Sequence, residues 1–286
     1  MKQLQNEQMT ISVKEHGAEL ASIVCGGKEY LWQADEKFWK RHSPVLFPIV
    51  GSVCKGEYRS HGKTYKMGQH GLARDLDFTL ISATDNELWY ELSSTPETLE
   101  KYPYSFCLRI GYRLEGKRIS VMWKVVNTGE ETMAFQIGAH PAFFFADPEK
   151  RGFFRLSTQQ RTLPISVITE GGNVGGTSEI TTDEEGFIVI DDHTFDHDAL
   201  VFEDSLLNKV ELCREDRTPY VTVEFTSPLV GLWSPPHKHA PFVCIEPWYG
   251  RTDPAGYTGT LEEKPWMQHL APNEIFEASY DIIIND

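Results

Sequence analysis

The chain lacks the marks of several large functional classes. Its 286 residues hold five cysteines, Cys25, Cys54, Cys107, Cys213 and Cys244, odd in number, scattered and without a CxxC pair. Free thiols in a reducing cytoplasm follow from that pattern rather than a disulfide framework. No run of Lys or Arg forms a stripe, and the net charge is -15. Nucleic acid and anionic membrane surfaces are therefore poor partners. No apolar run approaches the ~18 residues that a membrane helix needs. Met1 to Asn6 offers no basic segment followed by an apolar one, so no secretory signal is expected. There is no GxSxG, no GxGxxG and no phosphate loop. Repeats, coiled coils and low-complexity linkers are missing too.

What is present is apolar and aromatic. Hydrophobic residues make up 40% and aromatic residues 12% of the chain, enough for a sizeable core. Period-two alternation dominates. Ile119, Val121, Trp123 and Val125 share one face of a strand, with Arg118, Ser120, Met122 and Lys124 on the other. Phe106 to Leu114, Tyr220 to Phe225 and Phe276 to Ile282 alternate in the same way. Gly116-Lys117 and His61-Gly62 read as hairpin turns. Short helices are expected over Asp35 to Arg41 and over Pro96 to Lys101, the latter capped by Thr95. Gly171 to Thr177 reads as a flexible surface loop. Many strands joined by turns give an all-β chain, a large antiparallel β-sandwich with few short helices. One concave face of such a sandwich can hold a sugar.

Three fragments place an ionisable residue in an unusual context. Phe242 to Ile245 is an apolar strand that Glu246 interrupts just before Pro247. Partial burial beside Trp248 and Tyr249 raises a carboxyl pKa, which suits a general base near neutral pH. His140 precedes Pro141 and the run Phe143-Phe144-Phe145, an apolar setting that favours the neutral imidazole. His70-Gly71 offers a ring beside a residue without Cβ, where a ligand can come close. Structural alternatives stand beside each: a carboxylate paired with Arg251, a core histidine bonded to backbone, and a turn histidine facing solvent. His237 and His239 sit after Ser234-Pro235-Pro236 with no obvious Cys or carboxylate, so a metal site is not expected there. His193 and His197 lie in an acidic stretch and belong at the surface.

In their order and spacing these fragments resemble the aldose 1-epimerase (galactose mutarotase-like) superfamily. The nearest likeness is to its bacterial subgroup of uncertain substrate, related to proteins encoded near lactose-utilisation genes. Further matching segments are His16 to Leu20, Tyr30 to Gln33, Arg41 to Gly51, Asp198 to Phe202 and Gly231 to Ser234. The likeness runs nearly end to end, which implies a single domain over residues 1–286 with the β-supersandwich fold. It also implies interconversion of the α and β anomers of an aldose without metal or organic cofactor. By that resemblance Glu246 takes the proton from the anomeric hydroxyl, His140 gives one to the ring oxygen, and His70 stabilises charge near that oxygen. Arg41 and Arg74 line the pocket, with Trp248 and Asp198 (or Asp196 in its place) as further substrate contacts. Many relatives carry Arg directly after the Phe-Pro-Ile-Val-Gly segment; here the position is Ser52.

Three functions fit this reading: a mutarotase, a hexose-6-phosphate 1-epimerase, and a carbohydrate-binding protein that keeps the fold without catalysis. The expected partner is a small sugar, and the expected assembly a monomer or a homodimer built on exposed edge strands.

Overall fold

The computed structural model describes residues 1–285 and is built almost wholly of antiparallel strands. Two large sheets carry the molecule. The nine-stranded sheet runs in the order Phe187–Val189, Phe153–Leu156, Lys209–Cys213, Pro219–Phe225, Ile275–Ile284, Arg118–Asn127, Phe106–Glu115, Glu87–Ser93, Thr79–Ala83. The eight-stranded sheet runs Val174–Thr181, Thr162–Ile168, Leu200–Phe202, Leu229–Trp233, Phe242–Tyr249, Ile137–Ala139, Val45–Leu46, with Ala142–Phe144 also paired to Phe242–Tyr249. A four-stranded sheet opens the chain, from Lys2–Gln5 to Lys28–Glu29. Among the described residues no helix is long and apolar enough to cross a membrane.

The alternation read from the sequence is the alternation of burial. Ile119, Val121, Trp123 and Val125 are at most 2% exposed, while their neighbours on Arg118–Asn127 are half-buried. One apolar cluster takes side chains from all three sheets, for example Ile11, Val121, Phe154 and Val243. Each such side chain contributes about 1.5–3 kcal/mol by leaving water. Two smaller clusters lie apart from it: Trp32, Ala142, Ala240, Phe242 and Cys244 in one; Leu46, Val50, Val201, Leu229 and Trp248 in the other. Both flank the site described below.

Turn chemistry agrees with the sequence at two hairpins. Gly116 (φ 57°) turns Phe106–Glu115 back onto Arg118–Asn127, and His61 and Gly62 (φ 50° and 71°) join Glu57–Ser60 to Lys63–Lys66. Pro96–Leu99 is helical, with Thr95 and Thr98 forming a reciprocal cap.

Three local expectations are corrected. Asp35 to Arg41 is a single turn, not a helix: the Phe38 and Trp39 N–H groups both donate to Asp35 O. Its continuation is lost because Trp39 packs away from the turn, against Phe242 and His140, and accepts at its carbonyl from Trp32 Nε1. Gly171 to Thr177 is not a loop throughout, since Val174–Thr181 is a strand paired along Thr162–Ile168. Nor does Glu246 interrupt its strand, which runs on from Phe242 to Tyr249.

Candidate active site

The strand Phe242–Tyr249 organises the site. On one side it pairs with Leu229–Trp233 along its length. On the other it meets two short partners: Ala142–Phe144 opposite residues 242 to 244, and Ile137–Ala139 opposite Trp248 and Tyr249. Glu246 and Pro247 fall in the gap between them. The chain crosses that gap from Ala139 through His140 and Pro141 to Ala142. This topology brings His140 to Glu246: Nε2 and Oε2 lie 3.3 Å apart, with the side chains 8% and 2% exposed. The contact is not aligned as a hydrogen bond, and neither Glu246 Oε2 nor His140 Nδ1 has a hydrogen-bond partner in the protein.

His70 reaches the same place by a sharp turn. It has φ 64° and Gly71 has φ 76°. A Cβ on Gly71 would come within 2.2 Å of Phe47 O, so only glycine lets the turn press against that backbone. The Gly51 N–H donates to His70 Nδ1 at 3.1 Å. That bond fixes the tautomer, leaving the proton on Nε2 as a donor. The two imidazoles meet edge to face, 5.5 Å between centroids. Trp39 stacks on His140 at 4.7 Å and Trp233 meets it edge-on at 5.3 Å.

These three residues line one cavity of about 310 Å³ together with Trp39, Arg74, Asp198, Trp233, Trp248 and Arg251. The volume lies at the low end of the ~300–1,000 Å³ usual for small-molecule sites. Trp248 forms part of the wall, its indole N–H donating to Ala139 O at 3.2 Å. Gly231 permits its position, since a Cβ there would lie 2.4 Å from the ring. Larger in volume, at about 570 Å³, is a hollow beside Tyr58 and Tyr257, but its buried Lys264 and Asp253 are already bound to each other at 2.7 Å.

Burial sets the electrostatics of the smaller cavity. It drives the Glu246 carboxyl well above its ordinary pKa, with the nearby Asp198 adding to the rise and the Trp248 N–H opposing it. It lowers His140 to about 3, helped by the positive charges of Arg74 and Arg41. His70 falls well below its ordinary value for the same reason, with His140, Arg74 and Arg41 adding to the fall. Asp198 is raised by desolvation, and its Oδ1 accepts from its neighbour Ala199 N at 2.8 Å. Arg74 is lowered to about 10, mainly by burial. The directions favour two neutral imidazoles and a carboxylic acid.

Of the sequence candidates, Glu246, His140, His70, Arg74, Asp198 and Trp248 converge on this cavity. Arg41 does not line it. Its guanidinium is drawn to Asp75 at 2.7 Å, and its charge reaches the two histidines only at a distance. Asp196 is held by His193 and His237 at 2.8 and 3.1 Å, and of the two aspartates it is Asp198 that lines the cavity. His239 pairs with Asp192 at the surface. The Ser52 backbone pairs with Thr252: its N–H donates to Thr252 Oγ1 at 3.1 Å, and its carbonyl accepts from that hydroxyl at 3.0 Å. Arg251 is not the partner of Glu246: its Nε lies 3.0 Å from Glu203. Trp39, Trp233 and Arg251 are cavity residues that the sequence did not single out as such. For Trp39 the signal, an aromatic pair before Lys40-Arg41, was absorbed into the expected helix.

Comparison with known proteins fits this geometry. The family description Aldose 1-epimerase matches residues 2–282. The chain belongs to the aldose 1-epimerase family. It is 32% identical to the chromosomal LacX protein of Lactococcus lactis subsp. lactis, over 99% of this chain and 98% of the other. A galactose mutarotase related enzyme from Lactobacillus acidophilus superposes with a TM-score of 0.92 at 33% identity, covering 100% of this chain and 97% of that one. A galactose mutarotase-like protein from Lactobacillus casei gives 0.93 at 29% identity over the full length of both. Membership in the aldose 1-epimerase family accords with the β-sandwich and with a small-molecule-sized cavity walled by tryptophan.

Proposed function

We propose that the protein is an aldose 1-epimerase of mutarotase type, interconverting α and β anomers through the open-chain aldehyde. The observation that carries this reading is the 3.3 Å approach of Glu246 to His140 inside a cavity that His70 also lines. Anomerisation must remove a proton from the O1 hydroxyl and deliver one to the ring oxygen. A site for it therefore needs an acceptor and a donor on one sugar, and each contributes ~10²–10⁴-fold.

The proton inventory suffices. The directions of the two shifts favour one proton on the pair, carried by Glu246. Shifting that proton to His140 leaves a carboxylate and an imidazolium, the same total in the reactive arrangement. Glu246 then accepts from O1–H while His140 protonates the ring oxygen, and the C1–O5 bond breaks. The Nε2–H of His70 donates to the same oxygen as charge develops, in a site already shielded from water. Rotation about C1–C2 followed by the reverse proton transfers closes the other anomer. No net proton enters or leaves.

A hexose 6-phosphate is the second reading, favoured by one observation: two guanidiniums, Arg74 and Arg251, line the cavity. Polarimetry of freshly dissolved α-galactose, α-glucose and their 6-phosphates tests both readings. Acceleration of a neutral aldose supports the first, and acceleration confined to phosphates the second. A Glu246→Gln variant that still binds sugar but loses turnover supports catalysis, whereas sugar binding by a native protein that accelerates no aldose would leave only a carbohydrate-binding role.

A further inference from the structure

The strand that supplies the proposed base carries one more reactive group on the same face. Cys244 precedes Glu246 by two residues, so both side chains project from one side of Phe242–Tyr249. Opposite them stands His140. One donor atom from each of the three lies within 4.8 Å of the others, and all three residues are buried. Among the described residues this is the only group of three or more His, Cys, Asp or Glu so arranged. Cys244 does not line the sugar cavity and takes no part in the proton transfers above.

The spacing suits tetrahedral coordination. Donors held about 2.0–2.1 Å from a zinc ion at tetrahedral angles are about 3.3 Å apart. His140 Nε2 and Glu246 Oε2 already stand at 3.3 Å. A thiolate at about 2.3 Å asks for edges of about 3.6 Å, inside the 4.8 Å that bounds the three donor atoms. Of the two facing donor atoms, Glu246 Oε2 has no hydrogen-bond partner in the protein, so its coordination breaks no bond. Charge also balances. A divalent ion displaces one proton each from the thiol and the carboxyl to solvent. The ion, the thiolate, the carboxylate and a neutral imidazole then sum to zero in a buried site.

We propose that His140, Cys244 and Glu246 form a binding site for a thiophilic divalent cation such as Zn²⁺, and that its occupation blocks the sugar chemistry. Thiolate and imidazole donors select Zn²⁺ or Co²⁺ over Mg²⁺ and Ca²⁺. Three protein ligands leave one coordination position open. A bound ion takes the lone pairs that proton transfer needs, so inhibition rests on the mutarotase reading, whereas binding does not.

The test is a titration of metal-free protein with Co²⁺. A near-ultraviolet thiolate-to-cobalt band that saturates at one ion per chain is expected, and Zn²⁺ should bleach it. Cys54→Ala, at the half-exposed free thiol, keeps the band, and Cys244→Ala loses it. Should Cys244→Ala fail to fold, Glu246→Gln retains the band with affinity lowered at least about tenfold. Stoichiometric Zn²⁺ stops sugar turnover by the native protein and spares Cys244→Ala. No band in the native protein, or an equal band in Cys244→Ala, overturns the proposal. A band without any mutarotation by the metal-free protein refutes the function proposed above and leaves this site standing.

Discussion

Glu246→Gln and His140→Gln should change the pH dependence of stability in opposite directions. An unfolded histidine takes up a proton below pH 6.5, yet the folded protein holds His140 near pKa 3 and His70 well below its usual value. Between about pH 5 and 6 the unfolded chain therefore binds two protons that the folded state refuses. Stability rises with pH for both groups in that window. Glu246 acts the other way. Its unfolded pKa is near 4.5 and its folded pKa is well above that, so the folded state keeps a proton the unfolded chain has lost. The net is about one proton, so stability from these three groups rises with pH by roughly 1 kcal/mol per unit. Removing the Glu246 carboxyl should roughly double the slope, and removing the His140 imidazole should flatten it to about zero. Urea unfolding of the three proteins at several pH values in this window reads the slopes directly. Equal slopes would mean that these side chains titrate as though in water, and the reasoning from burial would fall.

Other consequences are simpler to test. Gly71→Ala puts a Cβ against Phe47 O in a left-handed turn; it should cost more than about 1 kcal/mol of stability and displace His70. Thermal unfolding and turnover would both fall, and an unchanged melting temperature would contradict the argument. Lys264→Met leaves Asp253 buried without its cation and should cost about 3–5 kcal/mol in urea unfolding; a loss under about 1 kcal/mol would show the pair to be dispensable. Trp39→Ala removes the ring stacked on His140 and lets water reach it, so the His140 pKa followed by NMR should move up from about 3 toward 6.5. No movement would mean that Trp39 does not exclude water there.

How much of this was legible in the sequence depends on the range of the interaction. Alternation along Arg118–Asn127 and the Gly116 and Gly62 turns are local signals, and the strands followed them. Glu246, His140 and His70 were legible because each is an ionisable group in an apolar or glycine-bearing context, and such groups are rarely buried without a reason. Pairing is where local reading ended. Arg41 goes to Asp75 and Arg251 to Glu203, choices made by partners 34 and 48 positions away. Trp39 reads as part of a helix until Phe242 and His140, both distant in sequence, are placed beside it. Val174–Thr181 is glycine-rich at its start, and only its pairing with Thr162–Ile168 makes it a strand.

Anomer exchange at equilibrium tests the central claim most directly. Magnetisation transfer between the α and β signals of galactose or glucose, followed by NMR with catalytic amounts of protein, reports ring opening itself. Exchange well above the spontaneous rate is predicted for the native protein, with losses of at least about 100-fold in Glu246→Gln and in His140→Gln. Native-rate exchange in both variants would contradict the account.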